Sequence, residues 1–275
     1  MSSQFTANLL WKWIERVRDE RPLVHCITNQ VAVNFNANVL LAIGAIPAMV
    51  IEAKQVDEFI QTADVLSVNL GTLTSGQREL IELAVESANK WNKPWVLDPV
   101  GVGLKWTREF AIELLAMKPT VIRGNPSEIV CLVGGNGNNR GPDSLLKPDD
   151  SRSAALSISK TYDTIVCATG ERDLLVTPNS LPIVRLSNGD LLMTKVTAIG
   201  CSLSAVVAAF VSVASDPTEK FVATVAAHAL VAIAGELAAK RANGPGSFVT
   251  QFVDQLYGMQ EEEFVKTLRL EYENK

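Results

Sequence analysis

Apolar runs of strand length alternate along this chain with helical segments. Strands are predicted over residues 23–28, 48–50, 65–69, 95–97, 120–122 and 164–168, with helices over 34–43, 54–63, 74–92, 107–117, from about 127, and over 151–162. Two more apolar runs, 173–177 and 183–186, suit a hairpin, and helices of small residues fill the chain beyond Cys201. Strand–helix alternation builds βαβ units, and hence a three-layer α/β/α fold with a mainly parallel central sheet. No internal repeat or linker divides the sequence, so residues 1–275 are read as one domain.

Composition supports a globular reading. Hydrophobic residues make up 47% and charged residues 20% of 275 positions, enough for a substantial core. The formal net charge is −5, and the lysines and arginines are scattered rather than clustered, which argues against a nucleic-acid partner. A phosphorylated ligand stays open, because backbone amides can bind phosphate without many cations. Cys26, Cys131, Cys167 and Cys201 stand at least 34 residues apart, so there is no CxxC and no thiolate metal cluster. Cys131 and Cys167 read as buried thiols, and a reducing, cytoplasmic setting is expected. Residues 1–10 lack the pattern of a signal peptide. The long apolar stretch 221–239 contains Thr224, His228 and Glu236, and is expected to be a buried helix rather than a membrane span.

In sheets of this kind ligands gather at the C-terminal ends of the strands. The polar motifs follow the apolar runs in that way: Thr28-Asn29, Asn69-Leu70-Gly71-Thr72, Asp98-Pro99-Val100-Gly101, Arg123-Gly124-Asn125-Pro126-Ser127-Glu128 and Thr169-Gly170. Together they describe the rim of an active site. Residues 134–150, dense in glycine, proline and asparagine, read as a mobile loop beside that rim, a candidate lid.

The most informative stretch is Lys195-Val196-Thr197-Ala198-Ile199-Gly200-Cys201, running straight into a helix of small and apolar residues. The first-turn amides of such a helix have no partners within it, and its dipole favours an anion there. Ala198, Gly200 and Cys201 are therefore read as an anion hole, or else as a plain strand–helix junction with a buried cysteine. A helix start also lowers the pKa of a thiol placed on it. Asp98, held extended by Pro99, reads either as a Mg²⁺–water contact or as a turn aspartate. Glu128 reads either as a second carboxylate near Mg²⁺ or as the partner of Asn125 in a capping box. Arg123 suits phosphate oxygens or a structural ion pair. Thr169-Gly170 offers a hydroxyl and a close backbone approach, or a simple turn. His25 and His228 are the only histidines, and both read as core or interface.

The set of motifs resembles the ribokinase-like superfamily and, within it, the hydroxyethylthiazole kinase family. The resemblance runs through Pro22-Leu23-Val24-His25-Cys26-Ile27-Thr28-Asn29, Gly44-Ala45-Ile46-Pro47-Ala48-Met49-Val50 and the motifs above, and closes on Gly244-Pro245-Gly246-Ser247-Phe248. It implies an ATP- and Mg²⁺-dependent kinase of a thiazole alcohol. It also implies a homotrimer whose thiazole pocket lies between subunits, with no membrane partner. By that resemblance Met49, Asn29 and Ala198 bind the thiazole, Arg123 and Thr169 bind ATP, and Asp98 and Glu128 hold the metal. Cys201 takes the place where many superfamily kinases carry an aspartate base. The family often has glycine where this chain has Ala198, a substitution that costs about 1 kcal/mol or more if the position needs positive φ. Kinases of other small alcohols, such as hydroxymethylpyrimidine or pyridoxal, and a dehydratase of hydrated nicotinamide nucleotides usually carry aspartate at Cys201. A non-catalytic binding protein of the same fold would not need Asp98, Glu128 and Arg123 together.

Overall fold

The computed structural model describes residues 5–134, 139–140, 143–144, 146 and 148–273. The strands are β1 (Leu23–Ile27), β2 (Ile46–Ala48), β3 (Val65–Asn69), β4 (Trp95–Asp98), β5 (Val121–Gly124), β6 (Asn139–Arg140), β7 (Asp143–Ser144), β8 (Ile165–Ala168), β9 (Asp173–Val176), β10 (Ile183–Leu186) and β11 (Leu270–Glu273). Nine of them form one sheet in the order β11-β10-β9-β8-β5-β4-β3-β1-β2, while β6 and β7 pair separately. From β2 to β8 the pairing is parallel, and β9, β10 and β11 extend the sheet antiparallel.

Among the described residues eleven α-helices cover both faces: α1 (Ala7–Glu20), α2 (Val33–Ala42), α3 (Ala53–Thr62), α4 (Ser75–Lys90), α5 (Lys105–Ala116), α6 (Pro126–Leu132), α7 (Arg152–Tyr162), α8 (Ile199–Ser212), α9 (Pro217–Arg241), α10 (Pro245–Gly258) and α11 (Glu261–Thr267). Successive strand residues point to opposite faces, so the sheet divides the apolar interior in two. Val96, Val121, Ile165 and Cys167 pack with α1, α2 and α8–α11. Trp95, Leu97, Ile122, Val166 and Ala168 pack with α3–α7. The strands are apolar on both sides for this reason, and each large side chain fully buried between layers, such as Trp95 or Phe210, contributes roughly 1.5–3 kcal/mol relative to exposure.

The predicted elements hold, with adjustments. Strand β2 comes two residues earlier than 48–50, because the Ile46 N–H donates to Pro22 O at 2.9 Å and starts the pairing there. Pro47 is tolerated because β2 is an edge strand. Helix α1, capped by Thr6, and strand β11 were not anticipated. The candidate lid lies largely outside the described residues, which within it include only Gly134, β6, β7, Leu146 and 148–150. Residues 1–4 of the N-terminal stretch also lie outside them. Helix α9 meets the length and apolarity of a membrane span, but 94% of its most apolar window is buried inside the protein, as expected of a core helix. Asp216 caps it, accepting from the Thr218 and Glu219 amides at 2.8 and 2.9 Å.

Candidate active site

Three neighbouring strands, β3, β4 and β5, bring polar residues to the same face at their C-terminal ends. Asn69 pairs in register with Asp98, and Leu97 with Ile122, so Asp98 stands beside Arg123. By strand alternation all three side chains face α8. Each is largely buried, so their polar atoms must find partners within the protein.

Asp98 is fully buried. Its Oδ2 accepts from Asn69 Nδ2 at 2.7 Å and from Ser204 Oγ at 2.8 Å. Arg123 Nη1 lies 3.7 Å from the same oxygen. Oδ1 is buried and has no partner among the described residues. Arg123 Nη2 donates to Thr169 Oγ1, and the Thr169 hydroxyl donates to Gly124 O at 3.3 Å. The guanidinium lies flat against the first turn of α8, where a Cβ on Gly200 would stand 3.0 Å from Nη1. The absence of a side chain at Gly200 lets the guanidinium approach closely, and no positive φ is involved.

The other side of the site is built on β1. Asn29 Oδ1 accepts from the Val31 and Ala32 amides, each at 3.0 Å, which fixes the amide plane. Its Nδ2 donates to Asn69 Oδ1 at 2.9 Å and to Cys201 Sγ at 3.2 Å. A Cβ on Gly71 would sit 2.9 Å from Asn29 Cβ, so the β3 turn closes tightly on this asparagine. A hydrogen-bonded chain thus runs from Cys201 through Asn29, Asn69 and Asp98 back to Ser204. β1 pairs with β2 on one side and β3 on the other. This chain therefore crosses the point where the strand order reverses, the usual ligand crevice of such sheets.

Ala198 is the N-cap of α8, with φ 67° and ψ 0° and no side-chain capping bond. The amides of that first turn are left to face the rim, next to the Arg123 guanidinium. Two sources of positive potential, the helix start and the arginine, meet at one spot. Across from them Asn125 and Glu128 form a capping box on α6: Asn125 N–H donates to Glu128 Oε2 at 2.7 Å, and Glu128 N–H to Asn125 Oδ1 at 2.9 Å. The capping reading of Glu128 is correct locally, yet the side chain is also buried beside Asp98.

The electrostatics follow from burial. Desolvation, and then the charge of Asp98, push Glu128 up to about 8. Desolvation also raises Asp98, against the pull of Arg123 and the donors Ser204 and Asn69. The expected lowering of the Cys201 thiol is reversed. Burial and the nearby Asp98 charge outweigh the Asn29 bond and push it up to about 11. It is therefore a neutral thiol near pH 7.

No group of three or more metal-ligating side chains exists among the described residues. A hard divalent cation that keeps most of its waters needs only one or two carboxylates. The unpartnered Asp98 Oδ1, with a second carboxyl that Asp98 itself disfavours as an anion, fits such a cation. Met49 is half-buried, one residue past the edge strand β2, which pairs with β1. His25 and His228 are both buried, as expected. The structural roles of Ser204 and Asn69 were missed. The register of β3 against β4 holds the signal for Asn69. Ser204, three residues past Cys201 on one helix face, is a hydroxyl in a largely apolar run and belongs to no motif.

The sequence profile of the hydroxyethylthiazole kinase family matches residues 14–262, which include every residue of this site. A hydroxyethylthiazole kinase of Tolumonas auensis is 45% identical over 258 residues, covering 94% of this chain and 96% of its own. The solved structure of a hydroxyethylthiazole kinase protein from Pyrococcus horikoshii superposes with a TM-score of 0.87 at 34% identity, over 97% of this chain and 100% of that one. A ribokinase-like superfamily protein from Enterococcus faecalis shares the fold, with a TM-score of 0.64 at 12% identity over 94% of this chain and 97% of that one.

Proposed function

The chain belongs to the hydroxyethylthiazole kinase family, and on that premise we propose that it transfers the γ-phosphoryl group of ATP to the primary alcohol of 4-methyl-5-(2-hydroxyethyl)thiazole, a step of thiamine salvage. The observation that carries the reading is the coincidence of the family match with the gathered rim residues. Arg123 and Thr169 hold the nucleotide phosphates. Asn29, Ala198 and Cys201 hold the alcohol, and the first-turn amides at Gly200 and Cys201 receive the transferred group. The attacking oxygen forms its bond to phosphorus as the bond to the leaving ADP oxygen breaks, and the negative charge spreads over the phosphoryl oxygens. Arg123 and the α8 amides face that charge without reorganising, because Thr169, Asp98 and Gly200 already fix the guanidinium.

The transition state of phosphoryl transfer is loose, so the alcohol needs little help from a base. A thiol held near 11 therefore serves by placing the hydroxyl in line, with Asn29 orienting the sulfur. Asp98 and Glu128 would hold Mg²⁺, which when bound would neutralise part of the phosphate charge. Asn69 and Ser204 saturate Asp98 Oδ2 and leave Oδ1 for that role.

The thiazole pocket is completed, in this reading, by a neighbouring subunit of a trimer. Supporting this are exposed Ile46 on the edge strand β2 and exposed Ile51 just past it, flanking half-buried Met49 in sequence, with exposed Val31 in the turn after β1. A light-scattering mass equal to one 29.8 kDa chain, with full activity, would refute it. The four free cysteines suit a reducing cytoplasm.

The test of the activity is ATP turnover with a panel of alcohols. Hydroxyethylthiazole is expected to be phosphorylated and hydroxymethylpyrimidine left largely untouched. Equal or faster turnover of the pyrimidine would overturn the assignment.

A further inference from the structure

Helix α9 buries a histidine in the middle of an otherwise apolar stretch. His228 Nδ1 lies 2.8 Å from Asp173 Oδ2, at the first residue of β9. The other oxygen of Asp173 accepts the Gly170 N–H at 3.0 Å. Gly170 follows Thr169, whose N–H donates to Gly124 O at 2.9 Å and whose hydroxyl receives Arg123 Nη2. An unbroken run of contacts therefore leads from the core of α9 to the guanidinium at the rim.

We propose that His228 is a positioning residue for the nucleotide side of the site, acting through Asp173 on the Thr169-Gly170 turn. His228 Nε2 is buried without a partner among the described residues. With a proton on Nδ1 the ring donates to Asp173, and Nε2 is the nitrogen left over. A polar ring with one unmatched nitrogen is costly to bury, and an apolar residue would fill the space in α9 without that cost. What the histidine adds is a fixed orientation of the Asp173 carboxylate. Asp173 in turn clasps the Gly170 amide, so the turn between β8 and β9 presents the Thr169 hydroxyl to Arg123 in one geometry. The hairpin register, with Ala168 opposite Leu174, leaves that turn short and sensitive to its clasp.

The proposal rests on the reading that Arg123 and Thr169 hold ATP, and its test separates the two. Steady-state kinetics of the full-length protein are compared for His228→Leu, His228→Asn, Asp173→Ala and Arg123→Ala, each checked for a cooperative melt. His228→Leu is expected to raise KM for ATP about fivefold or more, while KM for the alcohol stays within about twofold. Asparagine places an amide N–H where Nδ1 stood, so His228→Asn is expected to recover most of that loss. If His228→Leu does not fold, Asp173→Ala, at the rim with its side chain 13% exposed, is expected to give the same split. Unchanged KM for ATP in whichever of these two variants folds, equal shifts in both KM values, or no recovery with asparagine would overturn the clasp. An unchanged KM for ATP in Arg123→Ala would instead overturn the nucleotide reading on which it stands.

Discussion

Ser204 Oγ donates to Asp98 Oδ2 at 2.8 Å, tying the second turn of α8 to the end of β4. With Asn69 on the same oxygen, the carboxylate cannot rotate, and Oδ1 keeps a single direction. Ser204→Ala removes one of the two donors to a fully buried carboxylate. It is expected to lower kcat by about tenfold and to raise the Mg²⁺ concentration needed for half-maximal rate, since a hydrogen bond to a charged group is worth roughly 1.5–3 kcal/mol. A magnesium titration of the variant checks this, and an unchanged curve would return Ser204 to a packing role.

Glu128 stands at about 8 through burial and the charge of Asp98, so it is mostly protonated at pH 7. A divalent cation held by the two carboxyls would outweigh both causes, and its uptake near pH 7 is expected to release about one proton. Calorimetry in buffers of different ionisation enthalpy reads this directly, and heats independent of the buffer would count against it. The metal-free protein carries the matching stability trend. The folded value lies above the unfolded one, 4.5, so the folded state binds more protons between them. Stability then falls as pH rises from 4.5 towards 8. Glu128→Gln is expected to flatten that slope in urea unfolding.

The Cys201 thiol, held near 11, is expected to react with iodoacetamide at a rate that rises about tenfold per pH unit from 7 to 10, without a plateau. A plateau near neutral pH would show a thiolate in the resting site. Cys201→Ser keeps a neutral hydrogen-bonding group and is expected to retain kcat within about tenfold. If Cys201 holds the alcohol as proposed, Cys201→Ala is expected to raise the KM of the alcohol more than that of ATP.

Ala198 occupies the left-handed region with φ 67°, where an L side chain costs about 1–2 kcal/mol. Part of that gain is offset by the greater freedom of glycine in the unfolded chain. Ala198→Gly is expected to stabilise the fold by about 0.5–1 kcal/mol, read as a rise of about 1–4 °C in Tm. A lower Tm would mean that the methyl group makes a packing contact that outweighs the strain.

Much of this was legible before any coordinates. The polar motifs at strand ends foretold the rim, because in a parallel sheet the chain's own direction puts every such motif on one edge. The positive φ at Ala198 was foreseen as a condition and is met. The electrostatics were not legible. A thiol at a helix start reads as activated, but its pKa depends on how deeply it is buried and how near Asp98 comes. Both are set by residues far away in sequence. Ser204 and His228 were hidden for a similar reason. Each is a polar residue in an apolar helix, and only the packing of α8 and α9 against the sheet reveals its partner. Helix α1 and strand β11 were missed because one precedes the strand–helix alternation and the other follows the last long helix.

The sheet divides the work of the site along its width. Residues assigned to the acceptor come from β1 and the start of α8, and those assigned to the donor from β5 and β8, with Asp98 and Asn69 between them. The two halves lie side by side along the sheet edge, so each substrate is expected to bind whether or not its counterpart is present, which initial-rate patterns with both substrates varied would check. The kinetic order of such an enzyme is free to be random, and direct transfer requires both to be present at once. The same separation bears on how the protein can diverge. Changes around Asn29 and Gly71 can alter which alcohol is accepted while the nucleotide contacts, encoded after residue 120, remain as they are.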